Sequence, residues 1–207
     1  MPTNTNNIRK RLFFSILLDD TASEHITQAK LTLREKLNMT HSRAYRWVRS
    51  VDAHLTLFFI GDQSVDDVPA FIAAGTEAAR ESRAFTLDLH GLGQFPAGGS
   101  PRVLWAGARE VKSNNMNEIA ANLRSKLHAF ETDRKAFNPH ITLAYVRPSA
   151  DQQELFKAMA HSQGDPRITT PHMMAVRQFA LMESIPDGDL RDTAESRYTL
   201  VHSFLLQ

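Results

Sequence analysis

Two heptapeptides decide how this chain is read: His54-Leu55-Thr56-Leu57-Phe58-Phe59-Ile60 and His140-Ile141-Thr142-Leu143-Ala144-Tyr145-Val146. Each runs His, apolar, Thr, Leu, with an aromatic at the sixth position. A His-apolar-Thr-apolar match arises by chance about 0.1 times in a chain of this composition, so two of them are a signal. Runs of this length and make-up are strands. Side chains alternate between the faces of a strand, so the His and Thr of each copy share one face and their apolar neighbours the other. The same alternation places Phe58 on the face of His54.

Outward from these copies, Arg11 to Leu18 is strand-like. Thr21 with Glu24 forms a capping box ahead of Ile26, Ala29, Leu33 and Leu37 at helical spacing. Tyr45 to Arg49 reads as a strand, and Ser64 with Asp67 opens a second helix carrying Val68, Phe71, Ile72 and Ala79. Phe85 to Leu92 and Arg102 to Ala108 form a hairpin across the Gly/Pro-rich turn Gln94 to Pro101. Ser113 caps a helix with Met116, Ile119, Ala120, Leu123, Leu127 and Phe130 on one face. A short helix, Asp151 to His161, and strands Met173 to Met182 and Arg197 to Leu206 complete the chain. That makes about eight strands and four helices, with strands often following one another directly. Such an order gives an α+β protein with antiparallel sheets and helices packed on one face, not a doubly wound parallel sheet.

The 207 residues are 42% apolar and 23% charged, with nine Gly and nine Pro, which excludes collagen-like, low-complexity and disordered readings. Residues 1 to 8 are a polar, Asn/Thr-rich tail, and 9 to 207 are read as one domain. With a net charge of +1, a polyanion has to be held by a local cluster of positive side chains rather than by the field of the whole molecule. There is no cysteine, which removes disulfides, thiolate metal sites, iron–sulfur clusters and Cys nucleophiles, and a cytoplasmic location is expected. Arg9-Lys10-Arg11 before Leu12 to Leu18 imitates a signal peptide. The run is short, broken by Ser15 and followed by Asp19-Asp20 without a small-x-small cleavage site, so it is a strand. No apolar run is long enough for a membrane span.

Two polar strand faces meeting across a groove bring two imidazoles and two hydroxyls to one point. Phosphodiester chemistry needs a proton taken from the attacking oxygen, a proton given to the leaving oxygen, and donors for the non-bridging oxygens. His54 and His140 supply the first two, Thr56 and Thr142 the third, and no metal enters the scheme. The repeat is symmetric and leaves the roles interchangeable; His54 is taken as the acid protonating the departing oxygen and His140 as the base activating water. A lone histidine beside a strand is more often structural, which is the reading for His25, His41, His90, His128, His161, His172 and His202. Tyr45, Trp47 and Phe58 are candidate nucleobase stackers. Arg43, Arg46 and Arg49, and similarly Arg102, Arg134 and Lys135, are candidate phosphate contacts; Arg11 is read as a buried ion-pair residue.

The paired His-x-Thr motifs, Arg11-Leu12-Phe13-Phe14, Trp47-Val48-Arg49, Arg102-Val103-Leu104-Trp105 and Asn138-Pro139-His140 together resemble the 2H phosphoesterases, and among them the bacterial RNA 2′,3′-cyclic phosphodiesterases, or 2′-5′ RNA ligases. The resemblance runs from about Arg9 to Leu206. It implies two pseudo-symmetric lobes, each an antiparallel sheet with helices on its outer face, and an active-site cleft between them. It implies metal-independent opening of a terminal 2′,3′-cyclic phosphate to a 2′-phosphate, reversible joining of RNA ends through a 2′-5′ linkage, RNA with cyclic ends as partner, no cofactor, no membrane and a monomer. The family places Arg five residues after the second histidine, where this chain has Tyr145; Arg147 is the expected replacement. Three other readings stand beside this one. They are a phosphodiesterase acting on a small cyclic phosphate such as one derived from ADP-ribose, a non-catalytic RNA-binding module, and a metal site adding His90 or His128 to the two histidines.

Overall fold

The computed structural model describes residues 8–37, 43–130, 132, 135–185 and 196–207. Of the tail expected at residues 1 to 8 only Ile8 is among them, its carbonyl accepting from the Val65 N–H at 3.0 Å; Arg134 and His41 also lie outside the described residues. In chain order the elements are β1 (Arg9–Leu17), α1 (Asp20–Lys36), β2 (Tyr45–Trp47), β3 (His54–Ser64), α2 (Val68–Arg80), β4 (Phe85–Phe95), β5 (Val103–Glu110) and α3 (Asn115–Lys126). They continue with β6 (His140–Val146), α4 (Gln152–Ser162), α5 (Pro166–Thr169), β7 (His172–Val176), β8 (Gln178–Ser184) and β9 (Tyr198–Leu205).

The expected α+β class holds. The strands run in the order β7-β4-β5-β6-β3-β1-β8-β9, with β2 added beside β6. All described pairings are antiparallel. The sheet divides into two four-strand halves, β7-β4-β5-β6 and β3-β1-β8-β9, which meet at one residue pair, Leu55 opposite Ile141. Helices α1, α4 and α5 pack together against the first half, α2 and α3 against the second. The chain changes half repeatedly: β1 belongs to one half, yet the helix that follows it covers the other.

One expected strand is two. Met173 to Met182 breaks at Arg177, because β7 finishes the first half beside β4 while β8 enters the second between β1 and β9. The Arg177 carbonyl accepts from the Leu206 N–H at 2.9 Å at that crossing. Two caps also differ from expectation. The carboxylate of Asp19, not Thr21, accepts from the Ala22 N–H at 2.8 Å, and Thr21 donates to Asp19 instead. Asp is the stronger cap acceptor for the orphan N–H groups of a first turn. Ser113 is likewise displaced, since Glu110 from β5 accepts from the N–H groups of Asn115 and Met116 at 2.8 and 2.7 Å.

The outer face of the second half carries an aromatic cluster, Phe14, Phe179 and Phe204, all buried with ring centroids 5.0 to 6.0 Å apart. Gly75 lies in the middle of α2, where it is a poor helix former. A Cβ there would stand 2.5 Å from the Phe204 ring, which is wedged against its two partners and has nowhere to go. Replacing a helical Gly by Ala ordinarily stabilises by about 0.5–1 kcal/mol. At this position overpacking reverses the sign: Gly75→Ala is expected to lower unfolding free energy by about 1–3 kcal/mol in urea titration, and a gain in stability would contradict this packing.

Candidate active site

The seam between the halves fixes the site. With Leu55 opposite Ile141 in an antiparallel pair, His54 and Thr56 of β3 and His140 and Thr142 of β6 come to the same inner face. All four line one cavity of about 580 Å3. Their buried alternates, Leu55, Leu57, Ile141 and Leu143, enter the core shared by both halves.

The two histidines are held alike. Nδ1–H of His54 donates to the Asp52 carbonyl at 2.7 Å, and Nδ1–H of His140 to the Asn138 carbonyl at 2.7 Å, in each case two residues back. A carbonyl only accepts, so the proton of the neutral ring sits on Nδ1 and Nε2 is left as the basic atom. Aromatic rings flank both: Phe13 and Tyr198 at 5.0 and 4.8 Å from His54, Phe95 and Trp105 at 4.8 and 6.4 Å from His140. Burial pushes both imidazoles below their ordinary pKa. At His54 the bond to the Asp52 carbonyl and the Asp52 charge pull the other way, and the charge of His140 adds to the lowering; at His140 the Asn138 carbonyl alone opposes burial.

Both motif strands carry a β-bulge at the same place. Against β1, Phe14 pairs with Phe58 and Ser15 with Thr56, leaving Leu57 extra; against β5, Leu104 pairs with Ala144 and Trp105 with Thr142, leaving Leu143 extra. An extra residue reverses the parity beyond it. Phe58 therefore turns into the core, where it is buried, and Phe59 lines the cavity in its place. In the second copy Ala144 is buried and Tyr145 lines the cavity. The aromatic sixth position of each copy is thus a cavity residue, and each carries a guanidinium: Arg11 is 5.1 Å from the Phe59 centroid and Arg46 is 4.2 Å from that of Tyr145.

Several expected contacts are corrected here. Tyr45 and Trp47 share one face of β2 and Arg46 the other. Arg46 accordingly enters the cavity, while Tyr45 packs in the core under α1 and α4 and burial raises its hydroxyl to about 12. Arg49 does not line the cavity; its Nε donates to the Asp52 carboxylate at 2.7 Å. Burial alone would raise the Asp52 carboxyl, but Arg49, the Arg197 N–H at 2.8 Å and the Ser196 hydroxyl at 3.0 Å outweigh it and hold Asp52 ionised below its usual range. Arg147 is exposed beyond the end of β6 and outside the lining, and the guanidinium on Tyr145 comes from Arg46 across the β2–β6 ladder. Arg43, Arg102 and Lys135 are not in the lining either.

The sequence reading missed Arg9, Phe13, Arg197 and Tyr198, and assigned Arg11 to an ion pair; all five line the cavity. The alternation of β1, with Arg9, Arg11 and Phe13 on one face, was the available signal. The lining holds the acidic side chains Asp52, Asp62 and Glu183 as well. Asp52 is bound as above and Glu183 accepts from Lys10 at 2.5 Å, whereas no described carboxylate pairs with Arg11 or Arg46. The cavity is thereby a local cationic site in a nearly neutral chain. Among the described residues no group of three or more His, Cys, Asp or Glu side chains is placed to hold a metal ion, and His90 and His128 are bonded elsewhere, to Asp88 and to the Ser125 carbonyl. No described helix is long and apolar enough to cross a membrane.

The description of the 2′-5′ RNA ligase superfamily matches residues 18–186. An RNA 2′,3′-cyclic phosphodiesterase of Thermus thermophilus is 32% identical over 142 residues, 65% of this chain and 67% of that protein. One of Archaeoglobus fulgidus is 28% identical over 186 residues, 87% of this chain and 95% of that protein. The crystal structure of E. coli LigT complexed with 3′-AMP superposes with a TM-score of 0.70 at 25% identity, over 96% of this chain and 99% of that one. With its motifs, its two-half sheet and a match across most of its length in agreement, the chain belongs to the 2′-5′ RNA ligase superfamily, the 2H phosphoesterases.

Proposed function

We propose that this protein is an RNA 2′,3′-cyclic phosphodiesterase that opens terminal cyclic phosphates to 2′-phosphates by two-histidine acid/base catalysis, without metal, and that joins RNA ends through a 2′-5′ linkage when an RNA 5′ hydroxyl replaces water. The observation that carries the reading is the matched pair of imidazoles, each with Nδ1–H tied to a backbone carbonyl and Nε2 available, converging with two threonine hydroxyls in one cationic cavity. The names of the Thermus and Archaeoglobus relatives supply the substrate class.

In this scheme the cyclic phosphate lies between the histidines, with the Thr56 and Thr142 hydroxyls donating to its non-bridging oxygens. Nε2 of neutral His140 takes a proton from water as the water oxygen bonds to phosphorus. The P–O3′ bond breaks, and Nε2–H of protonated His54 delivers its proton to the departing oxygen, leaving a 2′-phosphate. The assignment rests on the ionised Asp52 carboxylate, which favours imidazolium at His54 alone against the burial that lowers both rings and the His140 charge that also lowers His54. In ligation a 5′ hydroxyl takes the place of water and the proton duties run by the same pair.

Each proton transfer contributes about 10²- to 10⁴-fold, so His54→Ala and His140→Ala are each expected to lose at least about 10² in kcat on a cyclic-ended RNA, while chelator leaves the wild type unchanged. Full activity in His140→Ala ends the two-histidine scheme. Because both imidazoles titrate below the ordinary value of about 6.5, the bell of kcat/KM is expected on the acid side of neutrality. The sign for stability follows. Between the lowered folded values and the unfolded value the unfolded chain binds more protons, so this contribution is present above about pH 6.5 and lost as pH falls below it, which acid titration of unfolding free energy reads directly. A small cyclic nucleotide is the rival substrate. The unpaired guanidiniums of Arg11 and Arg46 favour a polyanion, so kcat/KM for a cyclic-ended oligonucleotide is expected to exceed that for the matching mononucleotide at low salt and to converge on it as salt rises. Equal values at every salt concentration favour the mononucleotide.

A further inference from the structure

Behind His54 the catalytic cavity adjoins a second one of about 240 Å3, and the two share Phe13, Asp52, His54 and Tyr198 as a common wall. Strand β1 runs through both on one face: Arg9, Arg11 and Phe13 in the first, Phe13, Ser15 and Leu17 in the second. The cationic end of the strand thus serves the phosphate side, and its apolar end lines a space that continues the same cleft.

Two independent features mark this space as a binding site. Its rim gathers large apolar side chains that stand in solvent, Leu17 at 44% and Leu200 at 52% exposure on the inner sheet face and Val51 at 60% from the turn before β3. Within its lining, Ser15 is fully buried and its hydroxyl has no hydrogen-bond partner. A buried unpaired hydroxyl is costly to the fold and is a donor and acceptor for whatever enters. Flat, apolar on its faces and polar at its edge, a nucleobase fits walls made by Phe13, Met182, Tyr198 and Leu200 with the unpartnered Ser15 hydroxyl among them.

We propose that this second cavity receives the base of the nucleotide carrying the cyclic phosphate, with Ser15 Oγ bonding its edge. The inference rests on the assignment of His54 as the acid. If Nε2–H of His54 protonates O3′, the ribose bearing that oxygen lies on the His54 side, and its base extends past His54 into this space. One hydroxyl that both donates and accepts suits the edges of all four bases, so the subsite adds affinity with little discrimination among them.

Calorimetric titration of the full chain with adenosine 2′-monophosphate and with methyl riboside 2-phosphate, which lacks the base, tests this. Burial of one base is expected to make the nucleotide bind roughly tenfold tighter than the sugar phosphate. Leu17→Gln and Leu200→Gln, at exposed positions, are expected to shrink that ratio severalfold. Ser15→Ala is expected to weaken nucleotide binding severalfold while raising the melting temperature, since it removes an unpaired buried hydroxyl. A purely structural Ser15 gives the rise in melting temperature without the loss of binding, and overturns the assignment. Equal affinity for the two compounds, no binding of either, or a ratio that all three variants leave intact overturns it too. Hydrolysis of a cyclic-ended RNA is scored separately: a wild type that binds as expected but turns nothing over refutes the phosphodiesterase and keeps the subsite.

Discussion

A strand that gains one residue against its neighbour must turn every later side chain to the opposite face, and the site depends on that constraint being met twice, at Leu57 and Leu143. Before the bulge each motif strand alternates ordinarily, sending His and Thr inward and its apolar neighbours into the core. After it the alternation resumes with the phase reversed, so that the sixth position rather than the fifth faces the cavity. A continuous strand would have pointed Phe58 and Ala144 inward and Phe59 and Tyr145 into the core. The second bulge is also pinned from outside, by the Val48 N–H donating to the Leu143 carbonyl at 2.8 Å. Two short strands can in this way present imidazole, hydroxyl and an aromatic platform to a single substrate.

The electrostatic design follows from what orients the histidines. A carboxylate on Nδ1 would favour the imidazolium and raise the pKa; a backbone carbonyl fixes the tautomer with less charge bias. Burial then prevails and both rings fall below their ordinary value. Asp52 introduces an asymmetry between the copies. Its carbonyl orients His54, and its carboxylate, kept ionised by Arg49, Ser196 and the Arg197 N–H, biases that ring alone toward the charged form. Arg49 reaches His54 only through Asp52 and does not itself line the cavity.

What could be read in the sequence was what repeats. His54, Thr56, His140 and Thr142 were legible because the same side chains recur at the same spacing, and the antiparallel α+β class because strands follow one another without helices between them. Tyr45, Phe58, Arg49 and Arg147 were misplaced for local reasons: a one-residue bulge, the opposite parity of β2, an ion pair closed within four residues, and a strand that ends before Arg147 reaches the cleft. Arg197 and Tyr198 carry no motif and reach His54 only through the β8–β9 pairing, a contact set by topology. The break at Arg177 was hidden for a similar reason, since β7 and β8 form one apolar run whose two parts serve different halves of the sheet.

That topology also bears on how the two imidazoles keep their spacing. The halves share only the Leu55–Ile141 pair as a ladder, a thin connection if each half were a self-sufficient unit. They are not, because β1 and β3 build one half while α1, between them in sequence, covers the other with α4 and α5; α3 leaves β5 in the first half to pack against β3 in the second. Each half lacks part of its apolar cover until the other has formed, and buried apolar residues of β3, β4 and α2 fall in one continuous core with Met116, Ile119 and Leu123 of α3 and Ile141 and Leu143 of β6. Separating the two histidines by hinge motion would therefore expose helix faces in both halves at once. The distance across the cleft is a property of the whole fold, which suits the two proton transfers proposed at one phosphorus.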